Sequence, residues 1–246
     1  MGHYTYLFIN ILTLFFPLLL SFDKKVHFIS YLKHLIVGII LTALVFIPWD
    51  MGFTAMGIWS FNTDYNLGIY IGNMPLEEYL FFFTVPYACI FIYECLKAYV
   101  KRDFFKRIHF AISALAVILL LVLIVNHTQN TYTAISSAFL VLLLLIQIIN
   151  GRNYMGRFYA SYLVCLIPFI IVNGVLTSLP VIKYNDISII GLRLGTIPVE
   201  DFIYNGGLLL LTTMGYEWSR RKFSNPVLKE EINETSSELI DRKDHF

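Results

Sequence analysis

Two short runs, Pro75-Leu76-Glu77-Glu78 and Pro198-Val199-Glu200-Asp201, place a pair of carboxylates directly after a proline in a chain that is otherwise poor in charge. Proline has the fixed φ of a first helical residue, and two acids in a first turn complement the positive end of the helix dipole. One such motif at the lipid headgroup level needs no further explanation. Two of them at equivalent places form a shared site. Carboxylates at membrane depth are costly unless they face a bundle interior. Four that converge cannot all ionise, so one or more of them holds a proton near neutrality. The chemistry on offer is a Brønsted acid beside its own conjugate base. No lysine or arginine lies between Lys33 and Lys97, whereas Arg193 closely precedes Glu200 and Asp201. Glu77 and Glu78 are therefore expected as the protonated pair, with Glu200 and Asp201 held ionised by Arg193.

Aromatic residues crowd these acids: Trp49, Trp59, Phe61 and Tyr65 before the first pair, Tyr79, Phe81, Phe82 and Phe83 just after it, Phe202 and Tyr204 after the second. An interfacial belt with lipid-facing phenylalanines accounts for most of them. Aromatic faces also stabilise cations, and acid plus aromatic cavity is what a proton-initiated polyene reaction requires. Asp50 and Asn173 stand at matching exits of the second and sixth apolar stretches. Two readings stand for them, orientation of the acids by hydrogen bonds and capping of a loop. Glu94 and Glu217 lie 17 residues beyond Glu77 and Glu200, roughly 25 Å of helix rise. With Lys97, Arg220 and Arg221 beside them they read as ion pairs at the far face.

Residues of this kind must be held by membrane helices. The chain is 57% hydrophobic and 14% charged, against about a quarter charged for a soluble domain. Seven stretches have the roughly 20 apolar residues a crossing needs: Tyr4–Phe22, Leu32–Ile47, Leu76–Tyr99, Ile108–Val125, Tyr132–Ile149, Ala160–Leu179 and Pro198–Trp218. The second is short and can extend past Pro48. The first lacks a basic leader and a small-residue cleavage site, so it reads as a helix and not as a secretion signal. With seven crossings, sixteen of the 18 Lys and Arg fall on one face and only Lys183 and Arg193 on the other. The N-terminus is then outside and the C-terminus cytoplasmic.

A shift of 123 residues overlays two segments without a gap. It carries Asn62, Gly68, Gly72, Pro75, Glu77, Tyr93 and Glu94 onto Asn185, Gly191, Gly195, Pro198, Glu200, Tyr216 and Glu217, and sets Asp50 against Asn173. The expected architecture is an all-α membrane protein of seven transmembrane helices: a first three-helix repeat over 1–103, a linking helix over 104–128, and a second three-helix repeat over 129–222. A single linking span makes the repeats parallel, so both acidic motifs meet one membrane face. Residues 223–246, rich in Glu, Ser and Asn, are expected as a disordered cytoplasmic tail.

Several function classes drop out. A net charge of +1 offers no nucleic-acid footprint. Cys89, Cys95 and Cys165 have no pairing pattern. The six histidines lack the clustering of a di-iron site, so no metal is expected. No span interior carries the lysine of a retinal linkage. Glycine-rich phosphate and dinucleotide motifs are absent, as are the widely spaced aspartates of prenyltransferases. Redox-neutral acid–base chemistry and ion-coupled transport remain.

The runs Phe46-Ile-Pro-Trp-Asp50, Gly68-Ile-Tyr-Ile-Gly-Asn-Met-Pro-Leu-Glu-Glu-Tyr-Leu-Phe-Phe82 and Gly191-Leu-Arg-Leu-Gly-Thr-Ile-Pro-Val-Glu-Asp-Phe202 resemble the small membrane-embedded lycopene cyclases. In that family two three-span subunits act as a heterodimer or are fused through an extra span, as here. The resemblance implies cyclisation of the linear ends of lycopene to ionone-type rings, β rings being expected, with no cofactor consumed. It implies Glu77, Glu78, Glu200 and Asp201 as catalytic residues, a polyene substrate drawn from the bilayer of the cell membrane, and room for association with other carotenoid enzymes. Val199 and Asp201 stand where the first motif has Leu76 and Glu78, which leaves open whether the two pairs do equal work. Asp50, Asn173, Arg193, Trp49, Trp59, Phe61, Phe81, Phe82 and Tyr204 are the candidates for orienting the acids or binding the substrate. The rival readings are a proton- or cation-coupled transporter and a carotenoid-binding protein without turnover.

Overall fold

The computed structural model describes residues 2–223. Within them seven α-helices follow one another: α1 (Thr5–Leu20), α2 (Leu32–Ala55), α3 (Leu76–Tyr99), α4 (His109–Asn126), α5 (Thr131–Asn150), α6 (Met155–Ser178) and α7 (Val199–Phe223). The expected tail lies outside the described residues except for Phe223, which closes α7. Among the described residues, six helical stretches are long and apolar enough to cross a membrane: Gly2–Leu20, Phe28–Ala55, Leu76–Tyr99, His109–Asn126, Thr131–Asn150 and Met155–Ser178. The protein is therefore a membrane protein. The seventh expected span, α7, does not qualify by composition, and its position explains why. It packs against α2, α3, α5 and α6, and it is buried without interruption from Asn205 to Thr213. A helix enclosed by protein can carry Asn205, Gly206, Gly207, Thr212 and Thr213 where a lipid-facing helix would carry leucine.

Side chains turned to the outside confirm the solvent. Phe16, Leu44, Ile118, Val125 and Ile167 are all more than half exposed on helix surfaces, a density of open apolar area that soluble monomers avoid. Two helices depart from their expected ends. α2 runs through Pro48 to Ala55, and α6 begins at Met155. Asp50 and Asn173 consequently sit inside helices, which removes the loop-capping reading for both.

The chain is not wholly helical. Three two-stranded antiparallel pairs occupy the loops at one end of the bundle: β1 (Trp59–Phe61) with β4 (Ile182–Tyr184), β2 (Tyr70–Ile71) with β3 (Met74–Pro75), and β5 (Arg193–Leu194) with β6 (Ile197–Pro198). The two hairpins turn at Gly72-Asn73 and Gly195-Thr196, where each glycine has φ +62°. A two-residue hairpin with its first central residue at positive φ demands glycine there. Pro75 is thus not the first helical residue. It ends β3 and caps α3 with ψ 152°.

The 123-residue offset recurs in the backbone bonds. Leu76 N–H donates to the Ile69 carbonyl at 2.8 Å and Val199 N–H to the Leu192 carbonyl at 3.0 Å. Asn62 N–H donates to Val181 at 2.9 Å, and Asn185 N–H to Ile58 at 2.8 Å. The β1–β4 register is symmetric under the same offset, pairing Trp59 with Tyr184, Ser60 with Lys183 and Phe61 with Ile182. This ribbon roofs the space into which both acidic helix starts open.

Candidate active site

Adjacent residues on a helix point about 100° apart, so the two acids of each pair cannot face one target. Glu77, fully buried, turns back to its own hairpin loop and accepts from Leu67 N–H at 2.7 Å. Glu200, equally buried, accepts from Ile190 N–H at 2.8 Å and from the Thr133 hydroxyl at 2.6 Å. Leu67 and Ile190 are themselves 123 residues apart, so the loop-holding bond is made twice. The second oxygen of each of these glutamates is buried without a hydrogen-bond partner.

Glu78 and Asp201 turn the other way, into a cavity of about 50 Å³ bounded by α1, α2, α3, α5, α6, α7 and the β1–β4 ribbon. Tyr6, buried at the start of α1, donates its hydroxyl to Glu78. Asp201 accepts from Tyr132 and from Tyr184, each at 2.9 Å, one tyrosine on each carboxylate oxygen. Asp50 reaches the same space from α2 and accepts from Tyr204 at 2.6 Å. Carboxyl groups crowded into one dry space cannot all ionise. The cavity holds three acids and four tyrosine hydroxyls, with Asn173 and Asn205 beside apolar side chains.

Trp59, Phe61, Phe81, Tyr204 and Asn173 line this space as well. Tyr204 stands edge-on to Phe46 and Trp59, and Tyr132 lies stacked over Tyr184 with centroids 6.1 Å apart. Tyr184, in β4 outside the helices, has its hydroxyl pushed well above the ordinary tyrosine pKa, first by burial and then by the charge of Asp201. It stays a donor across the whole usable pH range.

Other expected site residues go elsewhere. Trp49 stacks on Phe46 at 5.4 Å between ring centroids and Phe82 is fully buried beside them, both in the packed core next to the cavity and not on its surface. Arg193 makes no ion pair with Glu200 or Asp201. Its guanidinium donates to the Thr196 carbonyl at 3.0 Å and meets Asp186 at 3.4 Å, on the outer side of the hairpin. Its guanidinium also lies 6.0 Å from the centroid of the Tyr184 ring, so the tyrosine that bonds Asp201 stands nearest it on the cavity side.

Tyr6, Tyr132, Tyr184 and Asn205 escape sequence reading, although all four line the cavity. A signal exists for the first two. Tyr6 to Glu78 corresponds to Tyr132 to Asp201 at an offset of 126 in the tyrosines, and Asn10 and Ser136, also 126 apart, bond back to the Tyr6 and Tyr132 carbonyls. The three-residue difference places α1 and α5 outside a gapless match. At the far end of the bundle, Glu94 pairs with Lys97 as expected, whereas Glu217 pairs across with Lys97 and Arg220 crosses to Glu94, in place of the expected Glu217 pairs with Arg220 and Arg221. No metal-binding group of His, Cys, Asp and Glu occurs among the described residues.

A family model described as lycopene cyclase matches residues 3–96 and 129–219, most of the chain in two segments. Neither a curated protein nor a solved structure gives a significant match. The matched segments contain every acid and tyrosine named above and leave out α4.

Proposed function

The chain belongs to the lycopene cyclase family of cyclising enzymes, and on that premise we propose that the three-acid cavity closes the linear ends of lycopene by proton addition and proton removal. Glu78 is the donor that delivers a proton to the terminal alkene, and Asp50, in the same cavity, is the group that returns a proton to it. The tertiary cation left behind is attacked by the neighbouring double bond. Tyr132, Tyr184 and Tyr204 offer ring faces to that cation, and the apolar lining keeps out water that would trap it as an alcohol. Asp201, oriented by two hydroxyl donors, acts as a carboxylate to remove a ring proton and form the new alkene. One proton enters and one leaves, so the product is an isomer and nothing is oxidised or reduced.

We propose the β ring as product, because loss of the proton next to the polyene gives the more substituted alkene in conjugation with the chain. Glu77 and Glu200 act through position, by holding the loops beneath the cavity roof. Seven crossings with the N-terminus outside, α7 as the enclosed span, and two units over 1–103 and 129–222 linked through α4 complete the reading. The meeting of Asp50, Glu78 and Asp201 in one cavity carries it, since buried acids crowded together form a proton reservoir and a transport path would need basic or hydrated partners at mid-bilayer. Expression in lycopene-accumulating cells tests it: chromatography should show cyclised carotenoid of unchanged mass with the wild type and lycopene alone with Glu78→Gln. Unaltered lycopene in cells where the wild-type chain is inserted in the membrane would refute it.

A further inference from the structure

The cavity does not end at the acids. Phe81, Phe169, Asn173 and Asn205 are shared with a second, apolar space of about 40 Å³. That space in turn shares Thr13, Ala88, Ile92, Pro168 and Val172 with a third of about 330 Å³. The three form one furrow walled by α1, α3 and α6. It follows α3 from Glu78 to Ile92, fourteen residues or roughly 21 Å of helix rise. It comes out between α1 and α6 at Phe16 and Ile171, which are 61% and 64% exposed on the lipid-facing surface.

The corresponding furrow of the other half, between α5, α7 and α2, is closed. By the offsets that match the hydrogen bonds, Thr13 corresponds to Phe139 and Val172 to Trp49. The Trp49 and Phe139 rings meet edge to face at 5.1 Å and fill the core there. At the mouth of the open furrow stands Asn205, whose amide nitrogen is buried without a partner, where the other half has the fully buried Phe82. Two acidic helix starts thus serve a single opening.

We propose that the furrow between α1, α3 and α6 is the binding site for the polyene chain, taken laterally from the bilayer, with one end of the molecule at Glu78 and Asp201 and its unreacted tail lying along α3 toward Phe16 and Ile171. This rests on the cyclase reading for the identity of the occupant. Its continuity with the acids, its straight course along one helix and its apolar lining fit a rod-shaped uncharged hydrocarbon. Each round handles one end, so a two-ended substrate leaves and re-enters reversed.

The test gives the open furrow the residues that close the other one. Thr13→Phe projects into free space, so the purified variant should melt at or above the wild-type temperature. Added lycopene, which raises the wild-type Tm by binding the folded state, should no longer do so, and turnover should fall at least tenfold. Val172→Trp should behave alike. Leu44→Phe, on the lipid-facing surface of α2 and outside the furrow, should keep both the shift and the turnover. A Thr13→Phe protein of wild-type Tm that still shows the full lycopene shift would overturn the furrow. If the wild type shows the shift, Thr13→Phe loses it and neither forms rings, the furrow stands and the cyclase reading falls.

Discussion

Glu77 and Glu78 are neighbours of identical chemistry with opposite surroundings, and the same carboxyl-to-amide swap made at each separates their roles. Glu78→Gln keeps the shape and an oxygen for the Tyr6 hydroxyl but removes the transferable proton. Turnover should drop by about 100-fold or more, the usual worth of a general acid. Glu77→Gln keeps an oxygen for Leu67 N–H, so pigment analysis should find cyclised product close to wild-type amounts. Glu77→Ala leaves that buried N–H unanswered and should lower stability by about 1–3 kcal/mol in a detergent melt. Equal loss of product in Glu77→Gln and Glu78→Gln would contradict the division. Sequence shows four acids and their two-fold recurrence. It does not show the division, because which of two adjacent residues faces a cavity depends on the rotation of the helix about its axis, and that is fixed by packing from α1, α2 and α5. The partner of Arg193 is hidden for a related reason, its direct ion pair being with Asp186.

At the scale of elements, the spans are legible because twenty apolar residues leave lipid as the only solvent. The hairpins are legible only as glycines. Gly68, Gly72, Gly191 and Gly195 all have positive φ, between +62° and +77°, so the Gly-x-x-x-Gly spacing marks the two places where the backbone must enter the left-handed region. Gly195 is the cleaner site for a test, since a Cβ there meets nothing within 4 Å while one at Gly72 strikes the Met51 side chain. Gly195→Ala therefore carries backbone strain alone, about 1–2 kcal/mol. The melting temperature should fall accordingly, and Gly195→Asn should fall less because asparagine tolerates that region. An unchanged Tm in Gly195→Ala would mean that the hairpin is not held against α7.

On the scale of the whole molecule, the two halves are fastened at both ends and along one seam. The seam is α2 against α7, close enough that a Cβ on Gly38 would lie 2.6 Å from the Thr212 carbonyl and one on Gly215 would lie 2.9 Å from the Gly38 Cα. The cavity end is joined by the β1–β4 ribbon. The opposite end is joined by Lys97, which reaches Glu94 at 3.0 Å and Glu217 at 2.5 Å while Arg220 holds Glu94 at 2.7 Å. Tyr93 and Tyr216, 123 apart in sequence, meet edge-on at the same place. Lys97→Met removes the charge between two largely buried carboxylates. Glu217 is left with the Tyr93 hydroxyl as its remaining side-chain partner, so the loss should be about 1–3 kcal/mol. That cost lies roughly 25 Å along the helices from the acids. Thermal inactivation should accelerate while the product ratio and the initial rate at low temperature stay as in the wild type. Adding Glu217→Gln to Lys97→Met should recover most of the lost stability, because the uncompensated charge goes with it. If the double variant is no more stable than the single one, the cluster is held by packing of the two tyrosines and not by its charges.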